Sequence, residues 1–398
     1  MRREHRALGA TLSTLVLLTG CGTAAGTAQD PPPEEETPHG YVEGAQESAE
    51  PQSRLVIADT GTGEVRVLDL ITEEMTELDP VEGVDGITGD GRFAYLRSSD
   101  HGTTHVVDSG SWTVDHGDHQ HYYRAPIRSV GTLDALAADR ATTDTALTAL
   151  TSPDGGTTVL DRAALEEGAV ETAVPVPGNA EVALPFAGHL LVAEGGPEGA
   201  VSVYDRDGTA LEPLGDTCAE PRGQAVTRRG AVIGCADGTL HVTEEDGALT
   251  SRVIAHPGGS DGRTGEFGRR PGSATLATVS TGGDVWVLDL AEPAWNPLDL
   301  TGAVTVAAVG AGGPVLALTG DGTLHSLDPE TGEELATADL LDGTDTAHTP
   351  AIRVDTSRTY LNDAENGVVY EIDHNDDLRV ARTLTTGIAP HLMVETGR

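Results

Sequence analysis

A phrase that recurs about every 43 residues constrains this 398-residue chain more than any other feature. Each copy has a short apolar strand, a glycine-rich turn and an alternating strand that ends in Asp or Glu. A period of about 40–45 residues with several short strands is typical of β-propellers, in which each repeat forms one antiparallel blade. The copies span residues 55–69, 93–108, 147–161, 190–205, 232–244, 277–289, 315–328 and 360–373.

The repeats predict an all-β fold over residues 53–398, an eight-bladed β-propeller of four-stranded antiparallel blades. If the weak third copy at 147–161 is an insertion, the alternative is a seven-bladed propeller. The chain ends with a strand-like segment at 391–398 that no blade follows, and the first repeat has no strand before it. We therefore expect the C-terminal strand to complete the first blade and close the ring.

The first 20 residues have the pattern of a lipoprotein signal peptide. Three arginines precede an apolar run at 12–18, and the pair Thr19-Gly20 stands before Cys21. The run is too short to span a bilayer, and small residues before a cysteine are what lipoprotein signal peptidase requires. The pattern predicts cleavage after residue 20, lipidation at Cys21 and an extracytoplasmic protein anchored in the lipid bilayer of the cell membrane. The alternative is an ordinary signal peptide with an incidental cysteine.

Residues 21–52 are rich in Pro and Glu, and we predict that they form a solvated tether between the lipid and the folded domain.

The two remaining cysteines, Cys218 and Cys235, are 17 residues apart. In an oxidising exported compartment this spacing predicts a disulfide. A two-thiolate metal site is the alternative, although neither cysteine has another Cys or His at the spacing of a zinc ligand pair.

The charge of the chain excludes several classes of partner. The sequence has 64 acidic residues, 24 arginines and no lysine, which gives a formal net charge of −40. Phosphate backbones and anionic lipid surfaces repel such a chain, so we expect no nucleic-acid partner and no docking through a basic patch.

Sequence motifs of hydrolases, zinc proteases and phosphate-binding loops are absent. We expect a monomeric binding protein and not an enzyme.

Five of the 14 histidines lie within residues 101–121. We interpret residues 112–115 as the outer strand of the second blade and 127–130 as the inner strand of the third. The histidines between them then lie in a loop that crosses the mouth of the propeller, and inner strands such as the last one begin at the same rim. The predicted metal ligands are His116, Asp118, His119, His121 and His391.

Imidazole nitrogens with one carboxylate form a ligand set that suits Zn²⁺. Alternate residues of an extended chain point the same way, so His119 and His121 can hold one ion together. Cu²⁺ and Ni²⁺ also suit imidazole, and zinc is favoured by its availability and by the absence of Met or Cys ligands. The residues do not decide which four candidates bind. Weaker secondary candidates are His101, His348 and His39.

The sequence also resembles the AztD-type zinc metallochaperones, which are exported β-propellers that accompany a zinc ABC importer. The resemblance covers the mature domain, and its most specific parts are HGDHQHYY at 116–123 and APHLMVETG at 389–397. It implies zinc binding at the propeller mouth and direct transfer of zinc to the substrate-binding protein of the importer. Two features depart from the family pattern. This sequence has a lipidation signal at Cys21, and it lacks a long histidine-rich N-terminal arm, because His39 is the one histidine in the tether.

Two other functions remain open from the residues alone. A metal at the mouth could serve a lyase or hydrolase as a Lewis acid, with Asp118 or His101 as the base. A surface propeller that binds other proteins, with incidental histidines, is the third possibility.

Overall fold

The computed structural model describes residues 42, 44–116, 119–176, 180–258, 262–344 and 348–398. The predicted signal peptide, the lipidation site Cys21, and the candidate ligands His39 and Asp118 lie outside these residues. No helix in the described ranges has the length and apolarity needed to cross a membrane.

Short strands account for nearly all the secondary structure of the described residues. There is one short helix, α1 (Arg162–Glu167). The strands are β1 (Gln46–Ser48), β2 (Arg54–Ala58), β3 (Val65–Asp69), β4 (Met75–Leu78), β5 (Gly86–Gly89), β6 (Phe93–Ser98), β7 (Thr103–Asp108), β8 (Ser111–Asp115), β9 (Gln120–Arg124), β10 (Arg128–Leu133), β11 (Arg140–Thr143), β12 (Leu147–Thr151), β13 (Thr157–Asp161), β14 (Thr172–Val174), β15 (Ala180–Phe186), β16 (His189–Glu194), β17 (Val201–Asp205), β18 (Gln224–Thr227), β19 (Gly230–Gly234), β20 (Gly238–Glu245), β21 (Ala248–Ala255), β22 (Thr275–Val279), β23 (Val285–Asp289), β24 (Ala294–Leu298), β25 (Ala303–Ala308), β26 (Val315–Thr319), β27 (Thr323–Leu327), β28 (Glu334–Asp339), β29 (Ile352–Val354), β30 (Thr359–Asp363), β31 (Val368–Asp373), β32 (Arg379–Thr385) and β33 (Leu392–Thr396).

Antiparallel pairing sorts these strands into sheets of three or four strands that follow one another along the chain. We number them as sheet 1 (β33-β2-β3-β4), sheet 2 (β5-β6-β7-β10), sheet 3 (β11-β12-β13-β14), sheet 4 (β15-β16-β17), sheet 5 (β18-β19-β20-β21), sheet 6 (β22-β23-β24), sheet 7 (β25-β26-β27-β28) and sheet 8 (β29-β30-β31-β32). A separate small sheet has the order β1-β9-β8. The all-β, propeller-like prediction is confirmed, and the weak third repeat forms β12 and β13 of sheet 3.

The second strands of the sheets are buried on both faces because their side chains alternate between two cores. In β2, Leu55 and Ile57 pack against sheet 8, whereas Val56 and Ala58 pack against sheet 2. The same kind of apolar cluster lies between every pair of consecutive sheets in the described chain. Each sheet is therefore held by its neighbours on both sides.

The disulfide predicted between Cys218 and Cys235 is present, and it lies in the core between sheets 4 and 5. Closing a 17-residue loop in this way contributes about 3 kcal/mol to stability through the unfolded chain.

The C-terminal strand β33 pairs with β2, as the sequence predicted. The register joins Leu392 to Ala58 and Thr396 to Arg54. In β33, Met393 packs in the core shared with sheet 8 and Val394 packs in the core shared with sheet 2. The last strand of the chain thus contributes to two cores at once.

The connection around the histidines differs from the prediction. Residues 128–133 form β10, which pairs with β7 as the outer strand of sheet 2 and is not an inner strand of sheet 3. Residues 111–115 form β8, which pairs with β9 outside the eight sheets. Residues 111–124 thus form an excursion that leaves sheet 2 after β7 and returns before β10. Its two ends meet where Ala125 donates a backbone hydrogen bond to the carbonyl of Gly110 (2.7 Å). Gly110 has φ +65°, and a Cβ there would lie 2.2 Å from the Ala125 oxygen, so this close approach requires glycine.

The folded region also begins earlier than the predicted boundary at residue 53. Gln46–Ser48, which the sequence assigned to the tether, form β1 and pair with β9. The pairing covers an edge of β9 that would otherwise expose its backbone polar groups.

Deleting residues 389–398 removes β33, and we expect the thermal midpoint to fall by several degrees. Loss of the buried Met393 and Val394 side chains alone costs about 3–6 kcal/mol. Differential scanning calorimetry measures the change. As a matched pair of point variants, Val394→Asp should destabilise strongly and Leu335→Asp, at an exposed position in β28, should not. An unchanged midpoint in the deletion would contradict the role given to β33.

Candidate metal centre

Three histidines meet at the tip of the excursion from sheet 2, which we call the histidine hairpin (β8, β9 and the turn between them). The turn is closed by a hydrogen bond from the His116 amide to the His119 carbonyl (3.0 Å). His121 lies in β9, where it is paired with Val114 of β8. One possible ligand atom from each of the three histidines lies within 4.8 Å of the others.

The three rings face one another closely. The centroids of His116 and His119 are 4.9 Å apart with nearly parallel planes, and the ring of His121 stands nearly perpendicular to both, at 5.2 and 5.0 Å. In a tetrahedral zinc site with bonds of about 2.0–2.1 Å, ligand nitrogens are separated by about 3.3 Å. His116 and His119 are exposed, so small side-chain rotations can bring the nitrogens to that separation.

Glu47 of β1 supplies a carboxylate next to these rings. Nδ1 of His121 donates a hydrogen bond to Oε1 of Glu47 (2.7 Å). A carboxylate that binds one imidazole nitrogen fixes the ring orientation and leaves the other nitrogen to face a metal. The pair therefore presents Nε2 of His121 as the ligand atom.

The base of the hairpin is fixed to sheet 2 by a buried stack. The rings of Trp112 and Tyr123 stack at 5.4 Å, and the guanidinium of Arg92 lies 3.9 Å from the centre of the Trp112 ring. Arg92 also makes a two-pronged ion pair with Asp108, with N–O distances of 3.1 and 2.9 Å. Both charged side chains are buried, so the pair is well shielded from water. Tyr123 is thus a packing residue of the hairpin base.

Sheet 1 holds the other side of the hairpin. Arg124 of β9 makes an ion pair with Asp69 at 2.8 Å, and Arg54 approaches the same carboxylate at 3.4 Å. Burial opposes ionisation of Asp69, but backbone N–H donors and the two arginines lower the pKa of its carboxyl below the usual value. The carboxylate therefore stays charged and keeps both arginines bound.

The tip reaches across this face of the molecule. Asp115, at the end of β8, makes an ion pair with Arg228 in the loop between β18 and β19 of sheet 5. Sheets 2 and 5 are not consecutive, so this ion pair connects the hairpin to a sheet that is separated from sheet 2 by two others along the chain.

His391 lies at the opposite end of β33 from the hairpin. Thr113 of β8 donates a hydrogen bond to the carbonyl of Gly397, which follows β33 (2.8 Å). His391 directly precedes this five-residue strand, which spans about 16 Å. The expectation that His391 and the other predicted ligands share one rim is therefore wrong. The cause is the position of the histidine hairpin, which follows the end of β7 that lies on the opposite face from His391.

On its own face, His391 lies beside His348. Their ring centroids are 4.9 Å apart, Nε2 of His348 is 3.1 Å from the hydroxyl of Thr60, and Nδ1 of His391 is 3.4 Å from the Asp59 carboxylate. His348, a secondary candidate, thus accompanies His391 and not the hairpin.

His101, the other described secondary candidate, lies in the loop between β6 and β7. Its Nδ1 is 2.9 Å from the hydroxyl of Ser98. The loop is at the end of β7 opposite to the hairpin, so His101 is on the His391 face and away from the three clustered histidines.

Sequence reasoning missed Glu47. The segment from 34 to 50 contains several glutamates in a setting typical of a solvated tether, and nothing in the pattern distinguishes this one. Only the pairing of β1 with β9 brings it to His121.

The fold is shared with known propeller-like proteins. AztD from Citrobacter koseri superposes with a TM-score of 0.74 at 18% identity, covering 87% of this chain and 98% of that protein. Its apo structure gives a TM-score of 0.74 at 17% identity with the same coverage. BamB from Moraxella catarrhalis gives 0.50 at 14% identity, covering 80% of this chain and 90% of that one. No family model and no curated protein sequence matches the chain. At these identities the similarity confirms the predicted AztD likeness at the level of the fold.

Glu47→Gln should weaken metal binding at the hairpin by about 10- to 100-fold, because an outer carboxylate orients the ligand imidazole and raises its basicity. Competition with a chromogenic zinc chelator measures the affinity. Glu50→Gln, at an exposed position just after β1, is the matched control and should bind like the wild type. If the two variants bind the metal with equal affinity, Glu47 does not contribute to the site.

Proposed function

We propose that this protein is a zinc-binding metallochaperone that holds Zn²⁺ at the histidine hairpin and passes it to the substrate-binding protein of a zinc ABC importer. The observation that carries the proposal is the convergence of His116, His119 and His121 at the hairpin tip. Three neutral imidazoles supply three of the four positions that zinc normally fills, and Asp118 remains the predicted fourth ligand.

The position of the site suits transfer of an ion and not permanent storage. Two of the three histidines are exposed, and the side chain of His121 is 25% exposed. An incoming ligand from a partner can therefore approach the metal and replace the hairpin residues one at a time. A structural zinc site is normally closed by four protein ligands, which would prevent such exchange.

We propose binding and transfer, without catalysis, as the role of this metal. The family resemblance in the 116–123 segment implies a zinc importer as the recipient, and the fold shared with AztD from Citrobacter koseri is consistent with it. The chain's long-range negative potential would attract cations to its surface.

We further propose that the sheets form a closed, eight-bladed ring. The pairing of β33 with β2 and the apolar cluster between sheets 8 and 1 support closure. In such a ring the hairpin lies on one face of the disc, with His348 and His391 on the other.

Lipid attachment at Cys21 remains a proposal from the sequence. It would hold the hairpin near the membrane that carries the importer, and metabolic labelling with a fatty acid, compared between wild type and Cys21→Ala, tests it.

The double variant His119→Ala/His121→Ala should lose about 100-fold or more in zinc affinity, because it leaves one of the three clustered imidazoles. The matched control is His348→Ala/His391→Ala, which removes two adjacent histidines from the other face and should retain zinc. Chelator competition measures both. If the control variant loses zinc and the hairpin variant keeps it, the zinc site lies at His348 and His391 on the opposite face, and the hairpin assignment is wrong.

Transfer is tested by mixing zinc-loaded protein with the apo substrate-binding protein in the presence of excess chelator. Direct handover should load the recipient while the chelator stays largely metal-free, because zinc exchanges within a complex. If the chelator captures the zinc before the recipient does, the metal dissociates into solution and the chaperone role is wrong.

A further inference from the structure

The first strands of the sheets surround a cavity of about 810 Å³. Its lining includes residues of β5, β11, β18, β25, β29 and β33, together with residues 266–269, which run beside β22 and β25. The charged residues on the lining are Asp90, Glu266, Arg269, Arg353, Glu395 and Arg398.

Every carboxylate on the lining has an arginine partner. The ion pairs are Asp90 with Arg162 (2.5 Å), Glu266 with Arg140 (2.9 Å) and Glu395 with Arg398. These acids therefore do not neutralise the other arginines of the cavity.

Arg269 lines the cavity without a partner for its side chain. Its backbone lies beside Ala308 of β25. Within the described residues, its guanidinium makes no hydrogen bond, ion pair or ring contact, and the residue is half-buried. Burial lowers the pKa of this guanidinium to about 10, and no charged group of the described chain opposes that shift.

Arg353 of β29 also lines the cavity without a carboxylate partner. Its Nε and Nη2 donate hydrogen bonds to the carbonyl of Met393, at 3.2 and 3.1 Å. A neutral carbonyl accepts these bonds but leaves the charge in place, and burial lowers the pKa of Arg353. Two of the three arginines on the lining thus have no carboxylate partner among the described residues, in a chain with a formal charge of −40.

A half-buried cation without a counterion loses part of its hydration without gaining an ion pair, and an arginine fork suits the planar or tetrahedral oxygens of an anion. We propose that the cavity binds a small oxyanion, with the chemistry of phosphate, sulfate or a carboxylate, through Arg269, with Arg353 on the same lining. The anion would balance the positive charge of the cavity wall. This site is separate from the histidine hairpin, so the proposal does not rest on zinc binding.

The test compares the thermal midpoint of the full, zinc-free protein in sodium phosphate, sodium sulfate, sodium citrate and sodium chloride at matched ionic strength. A ligand that binds the folded state raises the midpoint in a saturable way. Phosphate, sulfate or citrate should raise it by several degrees beyond chloride. The three salts distinguish an inorganic oxyanion from a carboxylate as the preferred ligand.

Arg269→Gln should abolish the oxyanion-dependent rise and should not lower the midpoint in chloride, because it removes a half-buried charge that no carboxylate compensates. Arg269→Lys keeps the charge and should keep part of the rise. Arg379→Gln, at an exposed arginine paired with Asp376, is the control and should keep all of it. An equal rise in wild type and Arg269→Gln would overturn the proposal.

Calorimetric titration of the wild type with phosphate, sulfate and citrate gives a second readout that depends on no variant. Saturable heat from at least one of these salts at low ionic strength is expected. The absence of both this heat and any midpoint rise beyond chloride would also overturn it. Zinc affinity of Arg269→Gln should equal that of wild type, so failure of the anion site and failure of the zinc site are distinguishable.

Discussion

The burial of apolar side chains on both faces of each sheet is the constraint on which this structure depends. A single sheet would leave one core half open, because alternate residues of strands such as β2 face different neighbours. Stability therefore comes from sheet-to-sheet contacts, and the last strand, β33, takes part in them through its pairing with β2. A framework of this kind tolerates long connections at the sheet ends, and the histidine hairpin is one such connection.

The hairpin combines a rigid base with an exposed tip. Its base is held by the buried Arg92–Asp108 pair and the ring of Trp112, and loss of one partner of such a buried pair costs about 3–5 kcal/mol. Its tip carries the two exposed histidines. The base fixes where the three histidines lie, while the tip leaves two of them accessible to solvent. That division of roles is what a protein needs if it holds an ion specifically and then gives it up.

The sequence predicted the repeating sheets, the Cys218–Cys235 disulfide, the last strand's pairing and the cluster at 116–121, because periodicity and local spacing determine them. It could not predict which strand β10 pairs with, since an alternating pattern identifies a strand but not its neighbour. That one pairing decides on which face the hairpin lies, and it separates the hairpin from His391. The sequence could not identify Glu47 either, because the role of this residue arises from a strand pairing and not from its local sequence. The unpaired Arg269 stands out only once the cavity walls are assembled.

The proposed binding of zinc by the histidine hairpin can be located with an anomalous difference map from crystals of the zinc-loaded protein, recorded on both sides of the zinc absorption edge. We expect a peak about 2.0–2.1 Å from one nitrogen each of His116, His119 and His121. A peak between His348 and His391, with none at the hairpin, would contradict it.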